Sequence, residues 1–120
     1  GGLEAVDEFG RLCFQVLVRV SSQLTDQEFH AEELVAGGDG FQLLQVFRRS
    51  VLEAAFEIGA VEDVTTNIGT FAQRLVDHQV IQQGLDVIGL IDAVAVRVPV
   101  FTGFKLDDGC LLFSFDVAYV

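Results

Sequence analysis

The chain has 120 residues and a mass of 13.1 kDa, the size of one domain spanning 1–120. Its 18 acidic residues against 7 basic ones give a formal charge of -11, which excludes a generic nucleic-acid binder because phosphate contacts need clustered Lys and Arg. Hydrophobic residues make up 51%, which excludes a disordered chain. The most apolar stretch, 85–101, is broken by Asp86, Asp92 and Arg97 and excludes a membrane span.

The N-terminus, Gly1-Gly2-Leu3-Glu4-Ala5-Val6-Asp7-Glu8, is acidic and lacks the basic start of a secretory signal. A soluble, cytoplasmic chain is expected. Residues 12–20 predict a strand, rich in β-branched and aromatic types. Phe14, Val16, Val18 and Val20 fall on one face, with Gln15, Leu17 and Arg19 on the other.

Residues 25–36 predict a helix. Thr25 and Glu28 form a capping box, Leu24 and Phe29 hold the staple positions, and Gly37-Gly38 ends it. Asp39 is placed to cap a second helix running to Ile58. Its apolar stripe is Leu44, Phe47, Val51, Ala55 and Ile58, and Gly59 stops it. Thr66 or Asn67 caps a third helix to Gln83, buried through Ile68, Phe71, Ala72, Leu75 and Val76.

From Ala93 the period changes to two. Pro99 marks an edge strand, since it has no N–H for a ladder. Asp107-Asp108-Gly109 is a hairpin turn signal, and residues 110–120 return as a strand, with Phe113 and Phe115 alternating against Ser114 and Asp116. The order predicts an α+β fold. A small, mostly antiparallel sheet, made of the N-terminal strand and the C-terminal hairpin, packs against about three helices.

Cys13 and Cys110 lie in apolar stretches at opposite ends of the chain. The expectation is two buried thiols, which behave as small hydrophobes. The alternative is one bridge pairing the first and last strands, which needs Cα atoms within about 7 Å.

Four groups of residues could carry chemistry. His30 and Glu33, beside Glu32, are three apart and would share a helix face, which makes them the metal-ligand candidates. They lack the second half of a di-iron pattern, and a solvated acidic face explains them as well. Asp77-His78 are adjacent and diverge on a helix. Gly37-Gly38-Asp39-Gly40 resembles an anion cradle, yet no strand precedes it and Leu43 stands where a third Gly is needed. Glu53 with Glu57, Glu62 with Asp63, and Asp107 with Asp108 are the paired carboxylates. Nucleophilic catalysis finds no support: GxSxG is absent, and Ser21, Ser22 and Ser50 sit in no elbow. No catalytic residue, cofactor or bound metal is expected.

The chain holds no Met, which points to a fragment, a processed product or a frame cut at arbitrary ends. The abundant residue types also form complementary codon pairs: Val GTC with Asp GAC, Phe TTC with Glu GAA, Leu CTG with Gln CAG, Ala GCC with Gly GGC. In this the chain resembles frames read from the strand opposite a GC-rich gene, of the kind labelled "NAD-specific glutamate dehydrogenase". The resemblance lies in overall composition. It implies a translation without evolved function and transfers no functional residue, because a dehydrogenase needs a dinucleotide fingerprint that is absent here.

The functional expectation is a non-enzymatic protein-interaction or oligomerising domain, whose partner is a second copy or a basic protein, with neither nucleic acid nor membrane involved. The alternative is a small α+β enzyme or ligand-binding domain. Its pocket would lie between sheet and helices, with His30, His78 and nearby carboxylates as polar groups.

Overall fold

The computed structural model describes residues 2–21, 23–30, 40–87 and 99–118. Helix α1 (Gly2–Arg11) leads into β1 (Cys13–Ser21), which turns back as β2 (Asp26–His30). Helices α2 (Gly40–Glu57), α3 (Asp63–Thr66), α4 (Ile68–Asp77) and α5 (Val80–Val87) follow, and β3 (Val100–Asp107) and β4 (Cys110–Ala118) close the chain as a hairpin. The strands form one sheet in the order β2-β1-β4-β3. The two outer pairs are antiparallel and the central pair, β1 with β4, is parallel. Parallel neighbours need a long crossover, and helices α2 to α5 lie within it. This is the α+β fold with a mostly antiparallel sheet that the sequence predicts.

The alternation read in the sequence decides which sheet face is covered. Phe14, Val16 and Val18 of β1 and Leu111, Phe113, Phe115 and Val117 of β4 are buried. Register sets Phe14 beside Leu111, Val16 beside Phe113 and Val18 beside Phe115. The helices bring Ala5 and Phe9 (α1), Phe47, Val51 and Ala55 (α2), Phe71, Ala72 and Leu75 (α4) and Ile81 and Leu85 (α5) against that face. Phe14 is the meeting point, with ring centroids 5.2 Å from Phe113, 5.5 Å from Phe47 and 5.9 Å from Phe9. Each buried Phe, Leu, Ile or Val contributes about 1.5–3 kcal/mol by leaving water, and the tilted aromatic contacts add about 0.5–1.5 kcal/mol.

Local signals place several ends. Asn67 Oδ1 accepts from the Thr70 N–H at 3.1 Å and caps α4, as expected. Asp108 and Gly109 both have positive φ, 49° and 77°, as a two-residue turn matching the strand twist requires.

Two expectations are corrected and one helix is added. Residues 26–30 form β2 and not the first turns of a helix; 31–36 lie outside the described residues. The capping box loses to the free edge of β1, whose backbone from Leu17 to Ser21 pairs with 26–30, and Leu24, the expected staple, is 93% exposed. The third helix is broken: Gln79 takes a left-handed φ of 60°, so α4 and α5 each turn an apolar face to the sheet. Helix α1 was not anticipated, since only Ala5 and Phe9 of its residues are fully buried and Gly lies near both ends. The strand expected from Ala93 has 93–98 outside the described residues. Its later part is β3, at the edge of the described sheet, where Pro99 placed it.

Two arginines hold helix ends together. Arg48 Nη2 donates to the carbonyls of Phe9, Gly10 and Leu12 at 3.0, 3.1 and 2.9 Å, and its guanidinium lies over the Phe9 and Phe14 rings. It closes the C-terminus of α1, where carbonyls lack helical partners and the dipole favours a cation. Burial lowers its pKa, but a guanidinium stays charged at neutral pH. Arg74 does the same for α2. It donates to the carbonyls of Gly59 at 2.8 Å and Ile58 at 2.5 Å, and pairs with Asp63 at 3.1 Å.

Arg48→Ala is expected to cost about 1–3 kcal/mol, because half-buried carbonyls lose their donor. Arg49→Ala, on an exposed neighbour, should stay within about 0.5 kcal/mol. Urea denaturation of the two variants checks the difference.

Candidate functional site

The metal candidates are not assembled as the spacing implies. His30 is the last residue of β2, paired with Leu17 of β1, so the helical i,i+3 argument does not apply to it. Glu33, Glu32 and Gly37-Gly38-Asp39 lie outside the described residues, and Gly40 opens α2. No group of three or more His, Cys, Asp or Glu side chains able to hold a metal occurs among the described residues.

The other candidates are spread over the surface. Asp77 accepts from Gln73 Nε2 at 2.8 Å, and exposed His78 caps α4 with its backbone N–H. Glu53 and Glu57 are exposed on α2 and border a shallow groove of about 240 Å³ with Ser50, Gln83 and Gly84. Asp63 serves Arg74, while Asp107 lies 4.0 Å from Lys105 Nζ. Among the described residues, the layer between sheet and helices is packed with side chains where a pocket was expected. That layer is filled by Phe9, Phe14, Phe47, Phe71 and Phe113, and no described buried residue is polar or charged.

What the structure does assemble is the other face of the sheet. Alternation along the strands puts Asp26, Glu28 and His30 of β2, Gln15, Leu17 and Arg19 of β1, and Leu112, Ser114 and Asp116 of β4 on one side. Val100, Lys105 and Asp107 of β3 share it by register. The described helices pack on the opposite side. Arg19 stands between Glu28 on one neighbour and Asp116 on the other. Its Nε and Nη2 donate to Glu28 Oε1 at 3.2 and 2.9 Å. That bond, with the charges of Glu28, Asp116 and Asp26, raises the Arg19 pKa further above its ordinary value. Arg19 is thereby neutralised by its own sheet.

A depression of about 250 Å³ lies over β3 and β4 on this face, with Leu17, Arg19, Thr102, Gly103, Ser114 and Asp116 in its lining. The space beside Gly103 is open: a Cβ built there meets nothing within 4 Å. The register shift between Phe101 and Gly103 makes the same spot irregular. The chemistry available is hydrogen bonding and charge pairing. Ser114 and Asp116 were legible as outward-facing residues; what the sequence did not show is that Arg19 and Leu17 stand beside them.

At the lower end of this face, Cys13 and Cys110 are joined by a disulfide with Cα atoms 4.4 Å apart. They are register partners at the first positions of β1 and β4. Cys13 is exposed and Cys110 half-buried, so the expectation of two buried thiols is wrong. The alternative, one bridge pairing the first and last strands, is the arrangement found, because strand pairing brings the two positions within bonding reach. At the upper end, the Gln82 carboxamide of α5 clamps the start of β3. Its Nε2 donates to the Pro99 carbonyl at 2.7 Å and its Oε1 accepts from the Phe101 N–H at 3.1 Å.

Comparison with protein-family models, curated proteins and solved structures finds no match for this chain. No described helix is long and apolar enough to cross a membrane. Fold and surface together define an α+β fold with one sheet face covered by helices and one face on which, among the described residues, no helix packs.

Removing the clamp tests how β3 is held. Gln82→Ala is expected to cost about 1–2 kcal/mol, for an edge N–H and C=O left without partners. Gln83→Ala, on the exposed side of α5, should change stability by less than about 0.5 kcal/mol.

Proposed function

We propose that this domain is a non-enzymatic interaction module that docks a basic protein segment on its open sheet face. The observation that carries this reading is the face itself. Leu17 and exposed Val100 share this face with Asp26, Glu28, Asp107 and Asp116; among the described residues the cations beside these carboxylates are Arg19, paired with Glu28, and Lys105, 4.0 Å from Asp107. A ligand there meets apolar contacts and unbalanced negative charge. The net charge of -11 acts the same way at long range: it speeds encounter with cationic partners and opposes a second copy. A filled interior layer and carboxylates dispersed over the surface support association over turnover. The disulfide favours a non-reducing compartment, in place of the cytoplasmic setting expected from the sequence.

A labelled peptide of alternating Lys and Val, followed by fluorescence anisotropy, tests the reading. Binding is expected at low salt and should weaken toward about 150 mM, where the screening length falls to about 8 Å. Asp116→Lys should weaken it by about two- to fivefold, the effect of one rim charge. Equal affinity for that variant, or no binding by the parent chain, overturns the proposal. A dimer seen by light scattering would replace the basic partner by a second copy.

A further inference from the structure

We propose that the Cys13–Cys110 disulfide is a thiol–disulfide exchange site that dithiol reductants reach without unfolding the domain. Four observations converge on it. The bridge lies outside the hydrophobic cluster, on the sheet face away from the described helices. Cys13 is exposed and Cys110 half-buried, whereas their neighbours Phe14 and Leu111 are 4% and 0% exposed. Both cysteines stand at strand ends, Cys13 one residue after the Leu12 carbonyl held by Arg48, Cys110 directly after the Asp108-Gly109 turn. The chain has only two cysteines and no free one, so after reduction they can re-form only this bridge within the molecule.

The exchange balances without any group from elsewhere in the domain. One thiolate of the dithiol attacks Cys13 Sγ, the more accessible side, and Cys110 leaves as a thiolate that takes a proton from water. The reagent's second thiol, deprotonated, then attacks the mixed disulfide. Cys13 is released as a thiol and the reagent leaves as its own disulfide, so two electrons pass to the protein. The phenylalanine core and the two antiparallel pairs need no rearrangement for either step. Reduction frees the starts of β1 and β4 on the same face that carries the depression, and the oxidised bridge closes almost the whole chain into a loop, separation 97.

The test is the rate of reduction of the oxidised chain by excess dithiothreitol at several urea concentrations below the unfolding transition, read by thiol alkylation and mass. Exchange in the folded state predicts a rate proportional to reductant and changing by less than about twofold across that range, because Cys13 is already an exposed residue. A bridge reached only by unfolding predicts a rate that rises about tenfold or more, in step with the opening equilibrium; that result overturns the proposal. A second readout is the far-UV circular dichroism of the fully reduced chain in buffer. Retention of the native spectrum, with recovery of the bridge on air oxidation, is expected; loss of the spectrum in step with reduction overturns the proposal as well.

Discussion

The structure depends on the parallel pairing of β1 with β4. These strands come from opposite ends of the chain, and all the helices between them must be accommodated by one crossover. Closing so long a loop costs conformational entropy before any contact repays it. The return is a register in which Phe14 meets Leu111, Val16 meets Phe113 and Val18 meets Phe115, so that both strands turn their aromatic and branched residues to one side. A slip by one residue would turn every one of them to solvent. The disulfide stands at the first rung of that ladder and links the register covalently.

Charge is arranged around the same pairing. The chain has 7 basic residues, and two of them, Arg48 and Arg74, turn inward to complete the ends of α1 and α2. A third, Arg19, is held between carboxylates of two neighbouring strands. Three of the cations are thus engaged by the fold's own carbonyls and carboxylates. Helix ends need donors for their last carbonyls, and Arg supplies several from one side chain in a planar fork. The closing of the helix ends and the neutralised centre of the sheet face are therefore parts of one allocation of cations.

Much of the fold was legible because alternation and helical stripes are local. The β1 pattern from Phe14 to Val20, the α2 stripe from Leu44 to Ala55, the Asn67 cap and the Asp108-Gly109 turn each rest on residues within a few positions of one another. The misreadings share a cause. Thr25 and Glu28 are a good helix start in isolation, yet the free edge of β1 offered the same backbone a complete set of ladder bonds. The residues from Ile68 to Gln83 suit a single helix, but a straight one could not keep both Phe71 and Ile81 against the sheet, so the chain breaks at Gln79. In α1 only Ala5 and Phe9 mark a buried side, and Arg48, distant in sequence, supplies the missing closure.

The candidate site was less legible than the fold for the same physical reason. The residues chosen from sequence were neighbours along the chain, such as His30 with Glu33 or Glu53 with Glu57. The surface that emerges instead joins Arg19 to Asp116 and Cys13 to Cys110, pairs that only sheet order brings together. The sequence by itself determined the α+β class, the apolar face of each strand, the hairpin turn and the acidic character, because composition and short-range periodicity carry that information. Tertiary structure alone decided the parallel centre of the sheet, the strand at 26–30, the disulfide and the open face. Each of these follows from which distant segments share hydrogen bonds, and no local pattern records that choice.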